Sequence, residues 1–104
     1  ELGDRYVWFA QCLADKKAVF YGAYWCPHCA EQKEMFGRQA MKKLPYIECD
    51  RRGQDAKPEL CAQKKITGYP TWDFSDGSRL NGTQPLETLA DKSGCELPKE
   101  EVKE

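Results

Sequence analysis

Two cysteines lie three positions apart in the segment AYWCPHCAEQ, which spans residues 23–32. Cys26 and Cys29 stand on either side of Pro27 and His28, after an aromatic run and before a run of helix-forming residues. Cysteines at this spacing bind a metal, form a structural disulfide, or exchange a disulfide with other thiols. The elements around them indicate which of the three applies.

Metal binding is the first possibility to weigh, because the 104-residue chain holds six cysteines. Such a density indicates an oxidising compartment or a metal site. The single histidine, His28, excludes a zinc finger with two cysteine and two histidine ligands. A four-cysteine site from Cys26, Cys29, Cys49 and Cys61 stays open as an alternative. Zinc ribbons normally present two short C-x-x-C knuckles and this chain has one, so we predict no metal site.

The cysteine pair is predicted to lie at a strand-to-helix junction. The uncharged segment AVFYGAYW, residues 18–25, is typical of a central strand buried on both faces. Pro27 suits the first position of a helix, because its missing N–H would be unpaired there in any case. Cys26 then lies at a helix N-terminus, where free N–H groups and the helix dipole favour a thiolate. Cys29, one turn further in, suits the role of a less exposed resolving thiol.

The two residues between the cysteines are expected to tune the redox potential. A protonated His28, or one that donates a hydrogen bond toward Cys26, would stabilise the reduced thiolate and make the disulfide a stronger oxidant. The alternative for His28 is a solvated residue on the helix surface. We favour the tuning role for Pro27 and His28.

The first half of the chain predicts further elements on both sides of the motif. The segment DRYVWFAQCLADKK has the apolar spacing of an amphipathic helix, with Asp4 as its N-cap. Gly37 is expected to kink or break the helix that follows the motif, with a second helical piece over residues 38–43. The segment LPYIECD predicts a second strand, and Pro58 opens a short helix after a polar loop.

The second half of the chain predicts a hairpin and a closing helix. Strands are expected over residues 71–75 and 78–81, joined by a turn at Asp76-Gly77, and the last helix falls in PLETLADKSG. A strand-helix-strand unit favours a parallel pair, to which the hairpin adds antiparallel strands. The prediction is an α/β fold with a mixed four-stranded sheet flanked by helices.

Length and charge limit the domain count and the partners. The chain fits one domain, predicted over residues 1–95, followed by a charged, frayed tail over residues 96–104. The net charge of −1 comes from interleaved acids and bases, so we expect no nucleic-acid partner. No apolar run reaches the roughly 18 residues that cross a bilayer. We expect the chain itself to be soluble and monomeric as an isolated domain, and its first residue, Glu1, suggests a processed or excised piece of a larger protein.

A second signal lies at Tyr69-Pro70-Thr71. Cis peptide bonds are almost confined to proline, and this proline stands between an aromatic and a β-branched residue at a strand entrance. Near the motif, Trp25 is a candidate for an apolar surface that docks peptide substrates, with core packing as the alternative. For Trp72 we favour core packing.

The motifs together resemble a known family. WCPHC after a buried strand, YPT before a hairpin, and the order of elements resemble the thioredoxin fold over nearly the whole chain. The segments YGAYWCPHCAEQKEMFG, PYIECD, PELCAQKKITGYPTW and LETLADKSG are similar to a more specific group. This group is the thioredoxin-like domain joined to vitamin K epoxide reductase homologues in cyanobacteria, some other bacteria and plant plastids.

The resemblance assigns roles to particular residues. It implies that Cys26 and Cys29 form the redox pair and that Pro70 is a cis-proline facing it. It also implies that Cys49 and Cys61 form a second, structural disulfide. From the residues alone, a strand end and the following helix could be joined in this way, while two buried free thiols or an electron-relaying pair remain alternatives.

The resemblance also implies a function. The expected activity is that of a thiol-disulfide oxidoreductase, which donates disulfides to cysteine-containing secreted or lumenal proteins. A membrane vitamin K epoxide reductase-like domain would reoxidise it, so that the quinone belongs to that partner and this chain needs no cofactor. The expected location is the periplasm, another extracytoplasmic space or the thylakoid lumen. Alternatives are a reductase or isomerase of the same fold, and a non-enzymatic binding domain stabilised by zinc or static disulfides.

Two features depart from the family pattern. Ordinary thioredoxins carry a buried acid six residues before the first motif cysteine, and here that position is Phe20, which fits a disulfide donor. Cys12 and Cys95 lie outside the pattern. They either pair, tying the first helix to the end of the last, or stay a buried thiol and a tail thiol.

Overall fold

The computed structural model describes residues 4–98, which alternate between helices and strands. The elements are α1 (Val7–Asp15), β1 (Val19–Gly22), α2 (Pro27–Phe36), α3 (Arg38–Met41), β2 (Tyr46–Glu48), α4 (Pro58–Gln63), β3 (Thr71–Asp73), β4 (Arg79–Asn81) and α5 (Leu86–Ser93). Their order confirms the predicted one. The helical piece expected beyond Gly37 is α3, and Gly37 itself has a positive φ of 92°.

The four strands form one mixed sheet in the order β2-β1-β3-β4. β1 pairs in parallel with β2 and antiparallel with β3, which pairs antiparallel with β4. Phe20 lies opposite Tyr46 on one side and opposite Trp72 on the other. β1 is therefore the central strand, as predicted, and the chain leaves it directly into the segment that carries the cysteines.

The larger core lies on the face of the sheet that α1 and α2 cover. Phe20 stacks on Trp72 with 4.8 Å between ring centroids and meets Tyr46 edge-on at 4.9 Å. Phe9 of α1 stacks on Phe36 of α2 at 5.8 Å. Because side chains alternate along a strand, Gly22 and Glu48 face the same side as Phe20 and Tyr46. The alternation of side chains along β1 and β2 therefore decides which residues face the side of the sheet on which the cysteine pair lies.

The opposite face carries a smaller cluster. Its buried members are Tyr21, Cys49 and Cys61, and Val19 and Ile47 pack against them. Cys61 belongs to α4, which covers this face. The sheet thus separates the cysteine pair at the start of α2 from the pair formed by Cys49 and Cys61.

Two boundaries differ from the predictions. α1 begins at Val7 and has no side-chain cap, so Asp4, which lies in a preceding turn, is not its N-cap. The hairpin strands are shorter than expected, because residues 74–78 form the turn. Phe74 N–H donates to the Ser78 carbonyl at 2.9 Å and Gly77 N–H donates to the Phe74 carbonyl at 2.9 Å.

The last described residues follow Gly94, whose left-handed conformation ends α5. Residues 96–98 have no regular structure, although Leu97 packs against the larger core. Residues 99–104, on which most of the predicted frayed tail falls, lie outside the described range. Between residues 4 and 98 no helix has the length and apolar character that a bilayer crossing requires.

Candidate active site

Cys26 occupies the N-cap position of α2, and Pro27 follows it at the first helical position. The Cys26 backbone is extended, with φ −81° and ψ 121°. Its side chain makes no hydrogen bond to the amides of the helix. Instead the thiol donates toward the Tyr69 carbonyl, with 3.8 Å between sulfur and oxygen. In this dithiol form, the hydrogen-bond partner of the Cys26 thiol is therefore a backbone carbonyl and not an amide of its own helix.

Cys29 lies one turn into α2 and is the more deeply buried of the two thiols. Its exposed fraction is 1%, against 7% for Cys26, and neither cysteine is in a disulfide here. Burial, with a smaller contribution from neighbouring Cys26, raises the pKa of the Cys29 thiol to about 12. At neutral pH Cys29 is therefore protonated, and it must lose a proton before it can attack a disulfide.

The segment before β3 faces Cys26. The Tyr69–Pro70 peptide bond is cis, and the Tyr69 carbonyl is the group that accepts from the Cys26 thiol. The Trp25 ring meets the Tyr69 ring edge-on, with 6.0 Å between centroids. Trp25 and Tyr24 are each 52% exposed. These aromatic rings form an apolar surface, Tyr24, Trp25 and Tyr69, beside the more accessible sulfur.

A half-buried carboxylate holds the Trp25 indole in place. Asp50, just beyond β2, accepts a hydrogen bond from Trp25 Nε1 at 2.6 Å. Arg52 binds the same carboxylate through Nε at 3.1 Å and through a terminal nitrogen at 2.9 Å. These bonds, those from Arg52 above all, hold the pKa of Asp50 well below its usual range. The sequence analysis missed this contact, although parallel strands that end at one edge bring their following residues together.

The His28 side chain turns away from the pair. Its Nδ1 lies 3.1 Å from Glu31 Oε1, and both side chains are mostly exposed. Of the two ways in which His28 could tune the pair, a hydrogen bond toward Cys26 is not formed in this structure, and the proposed tuning by a protonated His28 stays a prediction. The His28 backbone carbonyl accepts from the Thr83 hydroxyl at 3.1 Å, which ties the first turn of α2 to the segment after β4.

Gln32 is a buried polar residue that sequence reasoning missed. Its Oε1 accepts from Trp72 Nε1 at 3.0 Å and from the Gln84 N–H at 2.8 Å, and its Nε2 donates to the Gln84 carbonyl at 3.1 Å. Gln32 therefore locks α2 to β3 and to the segment that precedes α5. These bonds fix the position of the helix that carries both motif cysteines.

A second missed group, Glu48, lies opposite Gly22 on the strand next to β1. Glu48 is 5% exposed, and its Oε1 accepts from the Tyr46 hydroxyl at 2.8 Å. Burial and this carboxylate raise the pKa of Tyr46 above its ordinary value. The signal was present in the sequence as two polar residues, Tyr46 and Glu48, at alternate positions of the strand next to β1. Only the pairing of β1 with β2 shows that they lie on the same face as Gly22, which Cys29 also borders.

The other four cysteines form two disulfides. Cys49–Cys61 joins the end of β2 to α4 with 5.8 Å between Cα atoms, and Cys12–Cys95 joins α1 to the residue after Gly94 with 6.0 Å. The second bond answers the question that the sequence left open for Cys12 and Cys95. In the described part of the chain, no three or more histidine, cysteine or acidic side chains are grouped as a metal site would need.

The chain is similar to known proteins in sequence and in fold. No protein-family model matches the chain. Over 83 residues the chain is 46% identical to the thiol-disulfide oxidoreductase LTO1 of Arabidopsis thaliana, a match that covers 77% of this chain but only 22% of that protein. The crystal structure of a Plasmodium falciparum thioredoxin superposes with a TM-score of 0.51 and 23% identity, over 73% of this chain and 69% of that one. The fold is therefore thioredoxin-like, as the sequence predicted.

Proposed function

We propose that this chain is a thiol-disulfide oxidoreductase in which Cys26 and Cys29 are the reacting pair. The observation that carries the proposal is the unequal burial of two thiols one helical turn apart, with Cys26 at the N-terminus of α2. Both thiols are buried, but the less buried one suits attack on another protein and the more deeply buried one suits resolution from within. The likeness to a thiol-disulfide oxidoreductase over most of this chain supports the same chemistry.

The reaction we propose transfers two electrons from a substrate to the oxidised pair. A substrate thiolate attacks Cys26 Sγ, the Cys26–Cys29 bond breaks, and Cys29 leaves and takes up a proton. A second thiolate of the same substrate then attacks the substrate sulfur of the mixed disulfide, and Cys26 leaves as a thiolate. The substrate leaves with a new disulfide, and the pair is left as a dithiol.

We propose that the pair works as a disulfide donor to cysteine-containing secreted or lumenal proteins. A membrane vitamin K epoxide reductase-like domain would return the pair to the disulfide and pass the electrons to its own quinone. Four further cysteines already held in two disulfides support an oxidising compartment, the periplasm or the thylakoid lumen. The chain spans about a fifth of its plant relative, which leaves room in such a protein for a membrane domain.

The aromatic surface beside Cys26 is the proposed docking site for substrate. Tyr24, Trp25 and Tyr69 offer apolar area next to the reacting sulfur, and unfolded chains offer apolar residues around their cysteines. The Asp50 contact to Trp25 Nε1 keeps the largest ring in one orientation. The surface is thus preorganised rather than assembled on binding.

Serine variants of the two thiols test the proposal. We expect Cys26→Ser to abolish disulfide transfer to a reduced, unfolded substrate, because no nucleophile or electrophile remains at the less buried position. We expect Cys29→Ser to accumulate a mixed disulfide at Cys26, visible by mass spectrometry and reversed by dithiothreitol. Turnover retained by Cys26→Ser would refute the assignment.

The direction of transfer is tested by the redox potential of the pair. Equilibration with glutathione, followed by thiol alkylation and mass analysis, gives this potential. A donor is expected to lie nearer the roughly −120 mV of DsbA than the roughly −270 mV of thioredoxin. A value near that of thioredoxin would favour the alternative, a reductase of the same fold.

A further inference from the structure

A buried carboxylate and a tyrosine lie on the interior side of the cysteine pair. Glu48 Oε1 accepts from the Tyr46 hydroxyl at 2.8 Å, and Oε2 accepts from the backbone N–H groups of Tyr24 and Asp50, each at 3.1 Å. Within residues 4–98 no lysine or arginine bonds to this carboxylate. A carboxylate at such depth is costly without a partner of opposite charge, and the fold of a small domain rarely retains one without use.

Gly22, which has no side chain, leaves a space that both Cys29 and Tyr46 border. A Cβ built on Gly22 would lie 2.8 Å from Cys29 Sγ, 2.9 Å from Tyr46 Cε1 and 3.2 Å from the Tyr46 hydroxyl oxygen. The thiol and the phenol therefore share the space that a side chain at residue 22 would fill. Gly53 does the same for the carboxylate, since a Cβ there would lie 2.5 Å from Glu48 Cγ.

Cys29 needs a proton acceptor that the groups on α2 do not supply. The titratable groups that face it or its immediate neighbours are Cys26, Lys33, Tyr46, Glu48 and Tyr69. When Cys29 must attack, the Cys26 sulfur is already bound in a mixed disulfide. Lys33 is a cation whose Nζ lies over the Tyr46 ring, 4.0 Å from its centroid, and a protonated amine accepts nothing. Tyr69 lies on the docking side, so Tyr46 and Glu48 remain.

We propose that Tyr46 and Glu48 form a proton relay for Cys29, an inference that rests on the function proposed above. In the resolving step, the Cys29 proton passes to the phenol oxygen while the phenol proton passes to Glu48 Oε1. Tyrosine ends unchanged, and the carboxylate becomes a carboxylic acid. The Cys29 thiolate attacks Cys26 Sγ, the bond from Cys26 to the partner sulfur breaks, and the partner leaves as a thiolate. When the pair donates its disulfide, the same atoms return the proton to the departing Cys29.

The relay has an exit to solvent. A pocket of about 380 Å³ is lined by Tyr24, Lys33, Tyr46, Glu48, Gln54 and Asp55. It reaches the carboxylate from the side of the β2–α4 loop, whereas substrate approaches Cys26 past the aromatic rings. The pocket gives the carboxylate a route to solvent that adjoins the docking surface at Tyr24.

The test measures the reactions of Cys26 and Cys29 as two successive steps. Protein with Cys26 and Cys29 reduced and both structural disulfides intact is mixed with one equivalent of 5,5′-dithiobis(2-nitrobenzoate). The first thionitrobenzoate released reports attack by Cys26, and the second reports attack by Cys29 on the Cys26 mixed disulfide. The variants are Tyr46→Phe and Glu48→Gln. The control is Tyr21→Phe, the same change on β1 but on the opposite face of the sheet.

We expect both relay variants to slow the second release by on the order of a hundredfold at neutral pH, while the first release and the control stay unchanged. The deficit should shrink as pH rises, because hydroxide then removes the Cys29 proton directly. A lost structural role would not produce this pH profile.

Equal second-step rates at every pH, or an equal slowing of both steps, would overturn the relay. If Glu48→Gln does not fold, Tyr46→Phe decides the matter alone. Absence of the first release from unaltered protein would instead count against the proposed function.

Discussion

At the level of single residues, the two thiols of the pair differ in depth by one helical turn and in the work each can do. Cys26 lies at the N-terminus of α2, where its thiol donates toward the Tyr69 carbonyl. Cys29 is more deeply buried and borders, with Tyr46, the space beside Gly22. Burial raises the pKa of Cys29 to about 12, which keeps it protonated until it is needed. A resolving thiol held in this way does not compete with Cys26 for outside disulfides.

The raised pKa of Cys29 makes the stability of the reduced protein depend on pH. The unfolded thiol titrates near pH 8.5 and the folded one at about 12, so the unfolded state loses its proton first. The stabilisation linked to this proton is complete below about pH 8.5 and is lost as pH rises toward 12. We expect a loss of about 1 kcal/mol between pH 9 and pH 10 relative to Cys29→Ala, measured by urea unfolding of both reduced proteins. A difference between the two proteins that does not change with pH would contradict this.

At the level of elements, the fold was predictable wherever the signals are local. The uncharged run of β1, Pro58 at the start of α4 and Gly94 at the end of α5 each mark an element from neighbouring residues alone. The missed groups all depend on distant pairing. Glu48 lies opposite Gly22 only through the pairing of β1 with β2, and Gln32 finds its partner Gln84 52 residues away.

The hydrogen bond between Gln32 of α2 and Trp72 of β3 could not be predicted from the sequence either. Cys26 and Cys29 were identified from their spacing, but nothing in the motif shows what anchors its helix. A glutamine on a helix is ordinarily a solvated residue. Gln32 is instead buried because Trp72 and Gln84 each bring an N–H that needs an acceptor at that point.

Replacing Gln32 tests this anchor. Gln32→Leu keeps a similar volume but leaves the Trp72 indole N–H and the Gln84 N–H without an acceptor, so we expect unfolding free energy to fall by about 2 kcal/mol. The matched control is Gln39→Leu on exposed α3, which should change it by less than about 0.5 kcal/mol. Denaturant unfolding followed by Trp fluorescence gives both values. Equal, small effects would show that water satisfies these N–H groups and that Gln32 is not the anchor.

At the scale of the whole molecule, the two disulfides differ in how much chain they enclose. Cys49–Cys61 closes a separation of 12 residues on the face that α4 covers, whereas Cys12–Cys95 closes one of 83 and joins the two ends of the domain. A small domain has a limited core, and covalent ties of this kind supply stability that the core does not. Cys49–Cys61 belongs to the smaller cluster, and Tyr69 packs on that cluster while its carbonyl accepts from Cys26.

The Cys12–Cys95 disulfide is expected to contribute more to the free energy of unfolding than Cys49–Cys61. In the chain-entropy account, a disulfide stabilises by restricting the unfolded chain, by about 4–5 kcal/mol for the Cys12–Cys95 loop and about 3 kcal/mol for the Cys49–Cys61 loop. The double variant Cys12→Ala with Cys95→Ala should therefore lose more unfolding free energy than Cys49→Ala with Cys61→Ala. Urea unfolding of both, with Cys26 and Cys29 kept oxidised, measures the difference. An equal or smaller loss for the Cys12 and Cys95 variant would mean that packing of Leu97 and α5 on the core already holds the two ends together without the bond.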